Sequence, residues 1–413
     1  MRIAVWHNLP SGGGKRALYD HVRGLVERGH TIEVWCPPTA DQSYLPLREL
    51  AQEHVVPLSW SSNSRPGFQL KTAFNRTPRR IKAMDRHCRQ CAEEINGRGF
   101  DLLFANACMF FRTTSIARYV RIPAVIYLQE PYRWLYEALP KLPWAALDPP
   151  EGGWSLEYLA RWFADSVRIR GLRVQAREER RNAQAFISIL VNSHYSRESV
   201  LRAYGLDAKV CYLGVDTKLF VNRRYARENF VVGIGAFVPE KNIDFIIRSL
   251  AHVKPPRPRL VWIGNVLSRA FGEDLIRLAK SKAVDFEPKV NIQDSELVDI
   301  LNRAQMMVYA PRLEPLGLAA LEANACGLPV VAVAEGGVRE TIVDGANGLL
   351  VEHNPQAMAV GIQYLLDHPD HTARLGANGV KVVAERWTVE HSVDRLENRL
   401  AEALQRAAGN GEA

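Results

Sequence analysis

Long apolar runs and cysteines are both scarce in this chain of 413 residues. No apolar stretch approaches the roughly 18–20 residues that a membrane-spanning helix needs, and Ile3 to Trp6 is too short for a signal peptide core. Six cysteines are far too few for a disulfide scaffold. Cys88 and Cys91 form a C-x-x-C pair, but no second pair exists to complete a zinc site. These features predict a cytoplasmic protein with enough chain for two or three domains.

The excess of positive over negative charge is confined to the first half of the chain. Residues 1–216 hold 30 Lys and Arg against 21 Asp and Glu, whereas residues 217–413 hold 23 against 24. The excess comes from two clusters, Arg65 to Arg89 and Arg161 to Arg181, and seven of the nine tryptophans lie in the same half. Such a surface attracts an anionic membrane, an anionic substrate or a nucleic acid, or it is merely solvated. A nucleic acid is disfavoured because no recognisable binding motif accompanies the charge.

Short apolar runs alternate with helical periodicity along most of the chain. Arg2 to Trp6 predicts a strand, Lys15 to Arg28 a helix and Thr31 to Cys36 a second strand. This strand–helix–strand unit is the building block of a parallel sheet covered by helices. The pattern begins again at the strand Phe230 to Ile234, after a turn near Gly214 to Asn222.

We therefore predict an α/β protein made of two doubly wound, Rossmann-like domains that face a central cleft. The first domain comprises residues 1–215. The second comprises residues 216–387. A last helix, residues 388–408, is expected to pack back on the first domain.

A glycine loop, Leu9 to Lys15, follows the first strand and precedes its helix. Gly12, Gly13 and Gly14 allow close approach of a ligand, and the helix N-terminus would direct free N–H groups at a phosphate. The spacing matches neither the dinucleotide fingerprint nor the phosphate loop, so a flexible turn remains the alternative.

The segment from residue 311 to residue 337 is more specific. Glu314 and Glu322 are eight residues apart, and Gly317 opens a helix between them. The N–H groups of Leu316, Gly317 and Leu318 would then point at a bound diphosphate, and the two carboxylates could hold hydroxyls of a sugar and a ribose. A capped surface helix would leave the flanking Gly-Leu-Pro and Glu-Gly-Gly unexplained.

This segment resembles the E-x7-E region of the retaining glycosyltransferase family 4, whose members have the two-domain GT-B architecture. The resemblance implies that the first domain binds the acceptor and the second binds the nucleotide-sugar. Other segments are similar to family motifs and occur in the family's order. They are Gly12 to Gly14, Val191 to Ser196, Leu213 to Asp216, Gly235 to Lys241, Val290 to Leu297 and Gly336 to Gly337.

The resemblance implies transfer of a sugar from a nucleotide-diphosphate sugar to a hydroxyl of an acceptor glycan or lipid-linked glycan, with retention, in polysaccharide or glycolipid biosynthesis. By position, Glu314 would contact the donor sugar, Glu322 the ribose and Val290 the nucleobase. Lys241 would neutralise the diphosphate leaving group, together with the amides after Glu314 and those of the glycine loop. No Asp-x-Asp occurs in the sequence, which fits a reaction without a metal or another cofactor.

Two departures from the family pattern bear on activity. Ala236 stands where the family usually carries an Arg of the phosphate clamp, and Arg312 or Arg269 could compensate. Gln129, followed by Glu130, stands where many relatives carry a His near the reacting sugar. A Gln can hydrogen-bond the reacting centre but cannot take a proton, although the leaving phosphate could.

Three hypotheses follow from these observations. The first is a retaining transferase whose basic, Trp-rich first domain meets its acceptor at the inner face of the cytoplasmic membrane. The second is another enzyme on the same scaffold, an epimerase or a phosphorylase, which the E-x7-E frame and the lack of an identifiable cofactor lysine disfavour. The third is a catalytically weak or silent nucleotide-sugar-binding protein.

Overall fold

The computed structural model describes residues 1–59, 76–139, 142, 144–150, 153, 155–265 and 269–411. The chain folds into two units. The first consists of Met1–Val191, Arg197–Val210 and Leu396–Ala413, and the second of Asn192–Ser196 and Cys211–Arg395.

A parallel sheet of seven strands forms the centre of the first unit. Its strands are β1 (Arg2–Asn8), β2 (Thr31–Cys36), β3 (Gln52–Val55), β4 (Leu102–Cys108), β5 (Ala124–Gln129), β6 (Ser188–Val191) and β7 (Lys209–Val210). The strand order is β3-β2-β1-β4-β5-β6-β7, and every neighbouring pair is parallel. The helices in this part of the chain are α1 (Gly13–Glu27), α2 (Arg76–Asn96), α3 (Arg133–Tyr136), α4 (Leu156–Ala183) and α5 (His194–Tyr204).

The second unit contains a parallel sheet of six strands. They are β8 (Phe230–Ile234), β9 (Arg259–Gly264), β10 (Phe286–Val290), β11 (Met307–Tyr309), β12 (Val330–Val333) and β13 (Gly348–Val351), in the order β10-β9-β8-β11-β12-β13. The helices from here to the end of the chain are α6 (Ile243–Leu250), α7 (Arg269–Ser281), α8 (Asp294–Arg303), α9 (Leu318–Ala325), α10 (Val338–Thr341), α11 (Pro355–Asp367), α12 (Pro369–Arg386) and α13 (Val389–Gly411). Short 3-10 helices lie at Leu47–Glu49, Ser115–Arg118 and Pro239–Lys241.

Burial of both sheet faces explains the apolar strands. In β1 every residue after Arg2 is buried, as expected for a central parallel strand with helices on both faces. Helix α1 supplies Leu18, Val22 and Leu25 to this core, and none of the three is exposed to solvent. The predicted α/β fold with two doubly wound parallel sheets is confirmed.

The long C-terminal helix α13 contributes to both units. Its first residues follow Thr388, which bridges to Val215 in the second unit. Further along, Glu397 accepts hydrogen bonds from Arg28 and His30 of the first unit, both at 2.7 Å.

The two basic clusters differ in how much of each the structure describes. All of Arg161 to Arg181 lies in α4. The cluster Arg65 to Arg89 is described only from Arg76 onward, where it forms part of α2, and its earlier residues lie outside the described ones. None of the helices that the structure describes combines the length and apolarity needed to cross a bilayer.

Candidate functional site

The strand order of the second unit reverses between β8 and β11. Because all six strands are parallel, their carboxyl ends lie at one edge of the sheet, and the loops after β8 and β11 diverge at the point of reversal. Crevices at such switch points are the usual ligand-binding positions of open α/β sheets. The turn 235–241 follows β8 and the loop 310–317 follows β11, so the predicted site segments meet there.

An ion pair joins these two segments. Lys241 Nζ donates to Glu314 Oε2 at 2.7 Å, with 25 % and 12 % of the two side chains exposed. The aliphatic stem of Lys241 lies on Gly235, where an added Cβ would come within 2.9 Å of Lys241 Cδ. A side chain at position 235 would therefore displace the lysine. The arrangement places one ammonium group and one carboxylate side by side at the crevice.

The loop that carries Glu314 is fixed on its other side by the segment after β12. Glu335 accepts from the Leu313 N–H at 2.8 Å and forms an ion pair with Arg312 at 2.9 Å. Gly337 N–H donates to the Glu314 carbonyl at 2.8 Å. Glu335 was not among the predicted site residues, although its place in the Glu-Gly-Gly sequence was the available signal.

Gly336 packs directly on the Glu314 backbone. Its φ of 62° lies in the left-handed region, and an added Cβ would lie 2.5 Å from the Glu314 carbonyl oxygen. Only glycine combines that backbone conformation with so close an approach. The Glu-Gly-Gly segment thus packs against the Glu314 loop and holds it in position.

Helix α9 begins at Leu318 with Gly317 as its N-cap, at a φ of 92°. A glycine N-cap offers no side-chain acceptor, so the N–H groups of Leu318 and Ala319 are available for an anion, whereas the Ala320 N–H donates to the Gly317 carbonyl at 3.0 Å. Glu322 lies one turn inside the helix and is 8 % exposed, and Leu316 is buried just before it. The carboxylate of Glu322 and the helix N-terminus therefore belong to one short element.

Val290 is the last residue of β10 and is 37 % exposed. It pairs in register with Gly264, the last residue of β9. Val290 thus lies at the same edge of the sheet as Lys241 and Glu314, separated from β8 by one strand.

In the first unit the glycine loop meets the end of β5. Gly12 is the N-cap of α1, which begins at Gly13, and an added Cβ on Gly14 would lie 3.0 Å from Gln129 Nε2. Gln129 has a φ of 63° and its buried Nε2 has no hydrogen-bond partner among the described residues. A strained backbone and an unpaired buried amide at one residue are features that cluster at functional sites.

Glu130 is held by two arginines. Its carboxylate accepts from Arg133 Nε at 2.7 Å and from Arg112 Nη2 at 3.4 Å. The structure thus brings the glycine loop and Gln129 together, whereas Glu130 is engaged in ion pairs.

A largely buried polar cluster formed by His7 of β1, Cys36 of β2 and Glu53 of β3 was not predicted. The ligand atoms of His7, Cys36 and Glu53 lie within 4.8 Å of one another. Burial lowers the pKa of His7 to about 4 and raises that of Cys36 to about 12. Leu9 N–H donates to His7 Nδ1 at 3.5 Å, which leaves the ring proton on Nε2, and the buried ammonium group of Lys15 adds a positive charge.

The structure describes the side chain of only one of the two arginines that could compensate for Ala236. Arg312 is described and pairs with Glu335, as above. Arg269 begins α7, but its side chain lies outside the described ones.

Two family models together match most of the chain. The model described as "Glycosyltransferase Family 4" matches residues 11–219, which is half of the chain. The model described as "Glycosyl transferases group 1" matches residues 215–382.

Individual relatives align over shorter stretches. D-inositol 3-phosphate glycosyltransferase from Thermobispora bispora is 33% identical over 186 residues, which cover 42% of this chain and 43% of that protein. An uncharacterized glycosyltransferase from Methanocaldococcus jannaschii is 30% identical over 187 residues, covering 45% and 51%. The chain thus spans about half the length of the curated relatives it matches.

Solved structures resemble the chain over nearly its full length. A crystal structure of HepE from Anabaena in complex with UDP and glucose has a TM-score of 0.68 at 19% identity and covers 97% of this chain and 100% of that one. Sucrose-phosphate synthase from Thermosynechococcus elongatus has a TM-score of 0.71 at 17% identity and covers 98% and 100%. At these identities the similarity establishes the fold alone. With its two parallel sheets and the family model matched over half of its length, the chain belongs to glycosyltransferase family 4 and has the GT-B fold.

Proposed function

We propose that this protein is a retaining glycosyltransferase that moves a sugar from a nucleotide-diphosphate sugar to a hydroxyl of an acceptor glycan or lipid-linked glycan. The observation that carries the proposal is the Lys241–Glu314 pair, which lies at the switch point of the second sheet beside the N-terminus of α9. A cation, a helix N-terminus and hydroxyl-binding carboxylates are the groups that a sugar diphosphate requires.

The leaving group is the centre of the proposed mechanism. When the bond between the anomeric carbon and the diphosphate oxygen breaks, negative charge develops on the diphosphate. Lys241 and the N–H groups of Leu316, Gly317 and Leu318 would stabilise that charge, and preorganised groups of this kind are most effective in the transition state. Glu314 holds Lys241 in place before the donor arrives.

The carboxylates would orient the donor. Glu314 lies in the loop before α9 and would accept hydrogen bonds from hydroxyls of the transferred sugar. Glu322 lies one turn inside α9 and would accept from the ribose. Because Glu314 precedes the N-terminus of α9 and Glu322 lies in its first turns, one donor molecule would engage both.

The acceptor proton needs a destination other than Gln129, because an amide side chain cannot take it. In front-face retention the new bond forms from the acceptor oxygen to the anomeric carbon, and the departing phosphate oxygen takes the acceptor's proton. Gln129 would then hydrogen-bond the reacting centre through its unpaired amide. Glu130 would set the position of Arg112 and Arg133 rather than act as a base.

A catalytically weak or silent sugar-nucleotide-binding protein is the second candidate. It is favoured by Ala236, which leaves the phosphate clamp without its usual arginine, and by Gln129. Both candidates bind a donor, and only the first turns it over.

A donor screen tests the proposal. Thermal-shift and calorimetric titration against UDP, GDP and their sugars should identify one nucleotide, and UDP is tried first because a similar solved structure contains it. Turnover is then measured as release of the nucleoside diphosphate with candidate acceptors. If a nucleotide-sugar binds but no nucleoside diphosphate is released with any acceptor, the catalytically silent binding protein is supported. If no nucleotide binds, both candidates are contradicted.

The acceptor side of the proposal rests on helix α4. Its first turns expose Leu156 by 87 %, Trp162 by 50 % and Phe163 by 38 %, and its arginines are exposed along the rest of the helix. Indole rings with arginines are suited to the headgroup region of an anionic bilayer. We therefore propose a lipid-linked acceptor that is met at the inner membrane surface.

A further inference from the structure

His353, just after β13, contacts both loops of the proposed donor site. Its Nε2 lies 2.9 Å from Asn242 Nδ2 and 3.3 Å from Arg312 Nη1. The ring stacks on Phe245 with a centroid separation of 4.5 Å and an interplanar angle of 19°. One imidazole therefore touches the segment after β8 and the loop after β11.

The hydrogen bonds determine the protonation state of this ring. Asn242 Nδ2 also donates to the Ala310 carbonyl at 3.1 Å, and since a carbonyl only accepts, the orientation of the amide is settled. Its second N–H is directed at His353. A guanidinium group likewise has only donors. His353 Nε2 therefore faces only donors, which favours the neutral ring with its proton on Nδ1.

Both neighbours adjoin the charged pair of the site. Asn242 directly follows Lys241, and Arg312 precedes Glu314 by two residues. The Arg312 N–H also donates to the Glu240 carbonyl at 2.8 Å, so the two segments are already in contact. We propose that neutral His353 is a positioning residue that holds the Lys241 turn against the Glu314 loop, and that its protonation loosens the nucleotide-binding arrangement. This inference rests on the donor site proposed above.

The charged groups around the ring set the direction of the pH dependence. His353 is exposed, but partial desolvation of its ring and the positive charge of Arg312 lower its pKa below the ordinary value of 6.5, while Glu335 and Asp244 each raise it by less. The neutral ring is thus the form present at pH 7. Nucleotide affinity should be full above pH 6.5 and should fall as the pH drops through the lowered pKa.

Calorimetry with UDP, or with GDP if only GDP binds, tests the inference at pH 8 and in steps down through the acid range in which the protein stays folded. His353→Ala should weaken binding at pH 8 by about three- to tenfold, the loss of roughly one net hydrogen bond. His353→Gln supplies an amide oxygen that accepts but does not titrate. It should stay within about twofold of the wild type at pH 8 and should decline less than the wild type as the pH falls. His252→Gln, at an exposed histidine of the same unit, is the matched control and should behave like the wild type.

Hydrogen–deuterium exchange without nucleotide supplies a second measurement. Amides in residues 239–242 and 310–316 should exchange faster in His353→Ala than in the wild type, His353→Gln or His252→Gln. Unchanged exchange in both segments would overturn the inference, as would equal nucleotide affinity of His353→Ala and the wild type. If the wild type binds no nucleotide, the proposed function fails, and the exchange rates still decide the role of His353.

Discussion

At the scale of single residues, Lys241 is the side chain on which the proposed chemistry depends most. Its ammonium group pairs with Glu314, and its aliphatic stem lies against Gly235. Ala236 provides no second cation. Lys241→Ala should therefore lower kcat by about 100- to 1,000-fold, the usual effect of removing one preorganised group that stabilises transition-state charge. KM for the nucleotide-sugar should change much less.

Steady-state kinetics with Lys241→Arg as the matched variant checks this prediction, since it keeps the charge and should retain more activity than the alanine. A kcat of Lys241→Ala close to that of the wild type would show that another cation serves the leaving group, and Arg312 would be tested next.

Glu322 provides a test of nucleotide binding that is independent of turnover. Its carboxylate is nearly buried in α9, and loss of hydrogen bonds to a charged acceptor costs about 1.5–3 kcal/mol. Glu322→Ala should thus weaken binding of the free nucleoside diphosphate by roughly 10- to 100-fold. Calorimetry measures this directly, and an unchanged affinity would remove Glu322 from the ribose site.

At the scale of elements, the loop of Glu314 depends on the segment after β12. Gly336→Ala would force a Cβ to within 2.5 Å of the Glu314 carbonyl oxygen and would strain a left-handed backbone. Gly345→Ala carries the same backbone strain at a φ of 70°, with nothing within 4 Å of the added Cβ. Each should lose about 1 kcal/mol of stability from the backbone.

Only Gly336→Ala should also weaken nucleotide binding, because it moves the loop that carries Glu314. Chemical unfolding and calorimetry of the two variants separate these effects. Equal nucleotide affinities in the two variants would contradict the proposed role of Gly336.

The elements that sequence patterns predict are those with two buried faces. The central strands β1 and β8 are apolar runs, and the sequence predicts each within two residues of its observed ends. The strands β3, β10 and β13 were not predicted, and all three lie at sheet edges. Edge strands bury less apolar surface, so they lack a clear apolar run. They also tolerate residues such as Pro288 in β10, because one side of the strand makes no ladder hydrogen bonds.

In the candidate site, too, the sequence predicts only the residues that a local pattern indicates. Glu314, Gly317 and Glu322 follow from local spacing, because they lie in one loop and one helix. Glu335 and His353 act through tertiary contacts from loops after other strands, and His353 follows the unpredicted strand β13. Neither residue has a local pattern that indicates its partners.

At the scale of the whole molecule, the partition of charge is the largest asymmetry in the chain. The excess of 30 basic over 21 acidic residues lies in residues 1–216. Helix α4 contains seven of these basic residues, all of them arginines, together with exposed aromatic side chains. Some of this charge is already balanced within the helix, since Arg168 pairs with Asp165 at 2.7 Å. The exposed Arg161, Arg170 and Arg173 have no ion pair among the described residues.

Salt-sensitive binding to anionic vesicles is therefore the expected behaviour of the full chain, with little binding to neutral vesicles. Each basic residue near an anionic leaflet contributes about 1 kcal/mol, so a combined Arg161→Gln, Arg170→Gln and Arg173→Gln variant should lose most of the binding. Trp162→Ala should lose part of it through the lost interfacial contact. Co-sedimentation with phosphatidylglycerol-containing and phosphatidylcholine vesicles measures both effects, and Arg374→Gln in the second unit serves as the control. Equal partitioning to both vesicle types, or none to either at low salt, would mean that the basic face binds a free acceptor or is only solvated.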